Sequence, residues 1–402
     1  MGLMPQDLTY LKKKAPWLFQ TSMAQIRSVR GFLNELLMSS GETSDVKRQS
    51  ILGNLLKSYP TIFQLSVDNS LKPKVAFLET SCALTEKDVF SLLKGSRAAF
   101  FTLSIEDNLQ PTLEILKGLM PPSRSNGTDQ ERRFIRDIIM KHPQILCLSH
   151  SNLREKIAYF DSIDALDQKY LSNSESLASR IAVRSPVIFS LSLKENIKPK
   201  IAFLAKVWGL KAPGEDHDVN ASTCHDEGDN SLSGLLGEYP SILTLSLQGN
   251  IQPTLNFYNQ TGFIQFDSNW NRRPNHQVHM IVASDGLSVV SPQLPVIRAR
   301  FIAASLFHRL LPRWHFYLKT KLARDMNMAL KETVKDDNTL HGNTTTNLPS
   351  LHILAVASDK KYCEYLKVET KEYTAFKVDT IPRLKFSSQF DTWLKTGIPI
   401  DV

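Results

Sequence analysis

The stretch Pro186–Leu204 reads Pro-Val-Ile-Phe-Ser-Leu-Ser-Leu-Lys-Glu-Asn-Ile-Lys-Pro-Lys-Ile-Ala-Phe-Leu and recurs, with substitutions, along most of the chain. Its first half follows the pattern Pro-x-Ile-hydrophobic-x-Leu-Ser, and some copies begin with Ala. The copies lie between 38 and 59 residues apart and start at Pro16, Pro60, Ala98, Pro143, Pro186, Pro240 and Ala299. Self-similarity at such a period is the signature of a repeat architecture. The sequence therefore predicts a tandem array of about seven units.

Each unit reads as helix, Pro-led 3₁₀ turn, helix. In the second half of the motif Ile197, Ile201 and Leu204 recur at i, i+4 and i+7, which is one face of an α-helix. Pro199 falls in the first turn, where a helix tolerates proline. A Leu or Ile lies five residues before every motif start, and a proline pushes the preceding residue out of the α region. We expect the serine of each motif to cap the second helix. The fold class is thus an all-α solenoid.

The loops divide the chain into an array and a C-terminal piece. The repeats predict an array over residues 5–323, which can exceed the size of a single core because each unit packs only on its neighbours. Two insertions interrupt it: residues 211–230, acidic and expected to be disordered, and residues 265–277, polar. A flexible linker is expected over residues 331–350, followed by a helical cap and tail over residues 351–402.

Charge and missing motifs narrow the function. The chain of 402 residues has a formal net charge of +8, which favours a polyanionic partner. The four cysteines form no Cys-x-x-Cys pair, which argues against a zinc ribbon or a redox motif. No uncharged apolar run reaches the roughly 18 residues of a membrane span. A glycine-rich phosphate loop, His-Glu-x-x-His and Gly-x-Ser-x-Gly are all absent from the sequence. We expect a protein that is not an enzyme and needs no cofactor or metal.

Pro186–Leu204 and Pro240–Tyr258 resemble the repeat of the mitochondrial transcription termination factor (mTERF) family. The resemblance extends over roughly Pro5–Ala323, and Leu351–Leu366 resembles the closing helix of the family. It implies an arched superhelix that cradles double-stranded nucleic acid in mitochondria or plastids. The family's roles include transcription termination or initiation, intron splicing and ribosome assembly.

Basic pairs flank the proline position of several second helices. The candidates are Lys72 and Lys74, Arg154 and Lys156, and Lys198 and Lys200. Because all lie in the first helical turn, where backbone N–H groups are free, they predict a ladder of phosphate contacts. The alternative is that these side chains are solvated on the rim of the array.

A second basic region lies between Trp270 and Asp325. It holds nine Lys and Arg residues against two acids, with aromatic residues interleaved, which is typical of a nucleic-acid contact zone. Arg is the usual reader of guanine in the major groove, so base contacts are one hypothesis and phosphate contacts another. A solvated basic surface is the third. The candidates are Arg298, Arg300, Arg309, Arg313 and Lys319.

The prediction from sequence is a monomeric binder of double-stranded nucleic acid that regulates organellar gene expression through transcription termination. Its expected partners are double-stranded DNA or structured RNA, together with organellar transcription or ribosome-assembly proteins. One alternative is a structured-RNA binder in organellar ribosome assembly or splicing, since A-form duplexes are recognised by shape and 2′-hydroxyls. The other is a protein-interaction solenoid.

Overall fold

The computed structural model describes residues 3–39, 41–94, 98–121, 127–166, 175–208, 210, 212–213, 231–260, 264–265, 281–282, 299–332, 349 and 352–385. These residues form an all-α helical repeat solenoid, as the repeated motif predicted. Among them the only β-structure is the antiparallel pair Ile264–Gln265 and Ile281–Val282.

The α-helices follow in chain order. They are α1 (Pro5–Lys14), α2 (Met23–Ser39), α3 (Asp45–Ser58), α4 (Lys72–Cys82), α5 (Glu86–Lys94), α6 (Gln110–Lys117), α7 (Thr128–Lys141), α8 (His150–Leu166), α9 (Leu177–Arg184), α10 (Lys198–Trp208), α11 (Leu232–Glu238), α12 (Gln252–Gln260), α13 (Ala299–Ile302), α14 (Leu311–Glu332), α15 (Asp359–Leu366) and α16 (Thr370–Lys385).

Each Pro-led segment forms a 3₁₀ turn between two helices, as predicted. The turns are Pro16–Gln20, Pro60–Gln64, Ala99–Thr102, Pro143–Cys147, Pro186–Ser190 and Pro240–Thr244. The helix before a Pro-led turn ends two residues before the proline, and the residue between them is the C-cap. Its N–H still bonds four residues back, as that of Tyr59 does to the carbonyl of Leu55 at 2.7 Å. In the last repeat the segment is instead the short helix α13.

The motif serine caps the second helix, which confirms that expectation. Its Oγ accepts from the N–H three residues later, at 3.1 Å for Ser66 and 3.0 Å for Ser246. Ser22, Ser104, Ser149 and Ser305 accept in the same way.

Five second helices begin with a π-helical turn, a feature that the sequence reading did not predict. The turns are Val67–Leu71, Ile105–Leu109, Leu193–Ile197, Leu247–Ile251 and Leu306–Leu310. Each precedes a helix with proline at its second position, whereas α2 and α8, which have no proline there, begin directly after the serine. Proline has no N–H for an i→i−4 bond and its ring clashes with that carbonyl. The wider i→i−5 turn accommodates the ring and takes up one extra residue.

The chain divides into two compact units, Met1–Leu193 and Lys194–Val402. In the first, the 3₁₀ turns of successive repeats pack side by side, and the second helices bury their apolar stripe between them. The second contains the later repeats and the C-terminal cap, α15 and α16. The cap packs on α14 through a mainly aromatic cluster built around Phe316, Tyr317, Tyr362 and Tyr373.

Several predicted boundaries fall outside the described residues, among them most of the insertions at 211–230 and 265–277 and of the linker at 331–350. Helix α14 runs to Glu332, beyond the predicted end of the array at residue 323 and two residues into the predicted linker. None of the helices in the described part of the chain is long and apolar enough to cross a membrane.

Candidate nucleic-acid interface

One position recurs on the inner face of all seven second helices. It is the residue that follows the proline, or its counterpart in α2 and α8, and we call it the strut position. Its occupants are Val29, Lys74, Thr112, Lys156, Lys200, Thr254 and Arg313. All seven are buried, with Arg313 completely so and Lys74 and Lys200 each 6% exposed. A basic residue at this position therefore does not face solvent.

Three strut lysines each donate to a carbonyl of the following repeat, and the three carbonyls occupy equivalent positions. The Nζ of Lys74 lies 2.7 Å from the carbonyl oxygen of Phe101, and the Nζ of Lys200 lies 2.7 Å from that of Leu243. Lys156 makes the equivalent bond to Phe189 at 2.5 Å. In each case the acceptor is the third residue before the motif serine. These lysines tie the second helix of one repeat to the turn of the next.

Burial disfavours the charged form of these lysines. Desolvation lowers the pKa of Lys200 below its ordinary value, and it does the same for Lys74 and Lys156, where a nearby glutamate partly offsets it. The predicted phosphate contact is corrected for all three, because the amino group already has a backbone acceptor inside the stack and has almost no solvent access.

Helical periodicity explains where these lysines point. Lys74 follows Leu71 by three residues and precedes Leu78 by four, so it lies on the same buried stripe as both. The apolar residues at i, i+4 and i+7 mark the buried face of the helix, and the lysine at i+3 lies on that face although its charge predicted an exposed side chain. The regular apolar stripe was the signal that could have revealed the strut.

Two repeats with threonine at the strut position use other side chains. Thr254 is buried, and Tyr258, one turn further along α12, donates its hydroxyl to the carbonyl of Phe301 at 2.9 Å. Thr112 bonds the carbonyl of Asn108 in its own helix, and His150 of the next repeat reaches that carbonyl at 3.2 Å.

Arg313 occupies the strut position of the last repeat. Its guanidinium group donates to the carbonyls of Ile353, Leu354 and Ala357 at 2.9, 2.9 and 2.6 Å and to Oδ1 of Asp359 at 2.8 Å. The predicted nucleic-acid contact is corrected here too, because the side chain is buried against the cap.

The cap segment bonded by Arg313 stands where the turn of a further repeat would be. Its sequence, Ile-Leu-Ala-Val-Ala-Ser over residues 353–358, is a degenerate form of the motif. Ser358 caps α15 by accepting from the N–H of Lys361 at 3.3 Å, as the motif serines do. The end of the array is thus closed by a partial copy of its own repeat.

The first member of each basic pair is exposed. Lys72 lies at the surface and forms an i, i+4 ion pair with Asp68 at 2.6 Å. Arg154 and Lys198 are exposed at the equivalent position of their own helices. The pair read from the sequence therefore divides into an outer cation and an inner strut.

The other described candidates of the basic region do not all lie at one site. Arg300 and Arg309 line a cleft of about 670 Å³, together with His308, Asp359 and Lys377. Lys319 is exposed on α14, with its Nζ 5.5 Å from the ring centroid of Phe376, and does not line this cleft. Arg298 lies outside the described residues.

Comparison with known proteins agrees with the repeat. The model of the mTERF family matches residues 20–212, and no curated protein shows a significant match to the chain. Beyond the match, the same turn and capped second helix recur at residues 240–260. The family generally comprises organellar nucleic-acid-binding regulators of gene expression and is not known for enzymes. The sequence match over residues 20–212 and the helical repeats support membership of the mTERF family.

Proposed function

We propose that this protein binds a nucleic-acid duplex through phosphate contacts and thereby regulates transcription in an organelle. The single observation that carries the proposal is the division of the basic pairs. The inner lysine serves the stack, whereas the outer cation, Lys72, Arg154 or Lys198, is left at the surface at the equivalent position of three repeats.

The outer cation Lys72 need not serve stability. Lys72 and Asp68 form an exposed pair within one helix, and such pairs contribute little to the free energy of unfolding. A phosphate group can compete for Lys72 at small cost. The outer cations lie one turn inside their second helices: Lys72 and Lys198 follow the π-turn, and Arg154 is the fifth residue of α8. A phosphate bound there would be held by the charged side chain rather than by free N–H groups of the helix.

In the proposed mechanism these cations, with Arg298, Arg300, Arg309 and Lys319, neutralise the backbone of the duplex and release counterions. The bound protein then blocks or recruits transcription machinery. A structured-RNA duplex is the alternative ligand, because phosphate contacts do not discriminate between DNA and RNA. A protein-interaction solenoid is the alternative of another class.

The test is a titration of DNA and RNA duplexes of equal sequence at two ionic strengths. The proposal expects affinity to fall steeply with salt, by a slope of about 0.9 per neutralised phosphate for duplex DNA. Charge reversal of Lys72, Arg154 and Lys198 together should weaken binding at least tenfold. The matched control is Lys47→Glu, an exposed lysine in the first turn of a first helix, α3.

The outcomes separate the three functions. Tighter binding of the RNA duplex at both salt concentrations would favour the RNA-binding alternative. The proposal would be rejected if the protein bound neither duplex, or if its affinity changed neither with salt nor in the triple variant. A protein-interaction solenoid would then remain.

A further inference from the structure

The cleft lined by Arg300 and Arg309, here called the terminal cleft, lies where the last repeat meets the C-terminal cap. The last repeat contributes α13 and the π-turn that follows it, and the cap contributes the segment around Ala355 and α16. The lining residues are Tyr239, Arg300, Ala303, Ala304, Ser305, His308, Arg309, Ala355, Val356, Ser358, Asp359 and Lys377. The cleft therefore exists only when the cap is docked.

The charge inside the terminal cleft is positive. Asp359 is its only acid, and that carboxylate is bound by Arg313 at 2.8 Å and by Lys377 at 3.1 Å. Burial alone would raise the pKa of Asp359, but the hydrogen bonds from Arg313 and Lys377 outweigh it and lower the pKa. The acid is thus ionised and already neutralised, which leaves two cations, Arg300 and Arg309, without an ion-pair partner among the described residues.

Both arginines have N–H groups without a hydrogen-bond acceptor among the described residues. The Nε of Arg300 is buried and has no hydrogen-bond partner in the described part of the chain. A buried donor on a charged group that lacks an acceptor is costly, so its presence points to a missing acceptor. Arg309 is held at one end, because its Nη1 donates to the carbonyl of Ala355 at 3.0 Å. Its other N–H groups form no hydrogen bond to the described residues.

The walls of the terminal cleft leave room for an anion with attached groups. Ala303, Ala304 and Ala355 have small side chains, and the cleft measures about 670 Å³. Guanidinium groups recognise phosphate oxygens through charge-assisted bonds of fixed geometry. A tetrahedral phosphate offers acceptors to two such groups at once.

We propose that the terminal cleft binds one phosphate group, held by Arg300 and Arg309, and that the docked cap completes this site. The phosphate would come from the backbone of the bound nucleic acid, and in that respect the inference rests on the proposed function. A free nucleoside phosphate has the same chemistry, and the experiment distinguishes the two sources.

The experiment compares the full chain with Arg300→Gln/Arg309→Gln and with Lys371→Gln. Lys371 is an exposed lysine of α16 that does not line the cleft, so this control loses positive charge nearby without changing the site. Duplex affinity is measured at several salt concentrations, and binding of adenosine monophosphate is measured by calorimetry. The double variant should bind the duplex about tenfold more weakly at about 0.15 M salt, with a slope lower by about 0.9, while Lys371→Gln matches the wild type.

A loss of duplex affinity without binding of the free nucleotide supports a backbone phosphate. Nucleotide binding that disappears in the double variant, with unchanged duplex affinity, supports the phosphate site and rejects the backbone as its source. If the wild type binds the duplex and the double variant equals Lys371→Gln in both assays, the cleft proposal is overturned and the proposed function stands. If the wild type binds no duplex, the proposed function fails, and nucleotide binding alone decides for or against the cleft.

Because Arg309 also bonds the cap, Arg300→Gln is tested alone as well. The Cζ of Arg300 lies 5.1 Å from the ring centroid of the adjacent Phe301, and its Nε has no hydrogen-bond partner in the described part of the chain. This variant should keep the wild-type unfolding curve and still lose about threefold in affinity. Unchanged affinity in this folded variant would contradict the proposal.

Discussion

Lys200 and Arg313 occupy the same strut position in two repeats, but they bridge to different neighbours. Lys200 reaches a single carbonyl in the turn of the next repeat. Arg313 has no further full repeat to meet and bonds three carbonyls and a carboxylate of the cap. Where the neighbour is a regular turn, one ammonium group suffices. Where it is the cap segment, which offers several acceptors, the Nη1 and Nη2 groups of one guanidinium group bond four of them.

The difference shows that the role of a charged residue in a repeat protein depends on its position around the helix as well as on its charge. The outer and inner members of a basic pair are separated by two residues, which places them about 200° apart around a helix. One of the two therefore points into the stack whenever the other points out. Their charge alone predicts nucleic-acid binding for both members of a pair. Their positions around the helix assign binding to the outer member and packing between repeats to the inner member.

The largest effect should follow the loss of the cap strut. Arg313→Met removes the donor shared by four acceptors and leaves Asp359 with Lys377 as its remaining ion-pair partner. Breaking a buried charged network from one side costs about 3–5 kcal/mol. We expect that loss in the free energy of unfolding by urea, together with rapid proteolysis of the cap. Lys371→Met, at an exposed lysine of α16, is the control. A loss below about 1 kcal/mol would mean that the cap docks without this arginine.

A smaller effect is expected within an internal repeat. Lys156→Met keeps the aliphatic stem but leaves the carbonyl of Phe189 without this donor, which should cost about 1–3 kcal/mol. Arg154→Met, two residues away and exposed, should change the free energy of unfolding by no more than about 0.5 kcal/mol. Equal effects of the two substitutions would remove the distinction between inner and outer cations.

The pH dependence of a strut lysine is a subtler consequence. The pKa of Lys200 is lowered in the folded protein, so between that lowered value and the ordinary 10.5 the unfolded chain binds more protons. The free energy of unfolding therefore rises with pH in this window, and below it the contribution of Lys200 is constant and smallest. The stability difference between wild type and Lys200→Met should grow as pH rises towards 10.5. A difference that shrinks over the same range would indicate a raised pKa and a different environment.

Much of the fold could be predicted from the sequence because each repeat carries residues that mark where its helices begin and end. Proline ends one helix, serine caps the next, and apolar spacing identifies the packed face. The π-turns could not be predicted, because one residue more or less before proline leaves the apolar pattern intact. The candidate nucleic-acid interface was harder to predict from the sequence. The apolar stripe marks Lys74 as buried, whereas Lys72 and Lys198 lie at the surface. The partners of the buried residues, the carbonyl of Phe101 for Lys74 and the cap for Arg313, lie far along the chain, and no local pattern identifies them.

The most direct test of the division between inner and outer cations uses one pair. Lys198→Gln and Lys200→Met are compared for duplex affinity as a function of salt and for the free energy of unfolding. We expect Lys198→Gln to lower the salt slope by about 0.9 at unchanged stability. Lys200→Met should keep the slope and lose about 1–3 kcal/mol of stability. A lower slope for Lys200→Met at unchanged stability, or an unchanged slope for Lys198→Gln, would contradict the assignment.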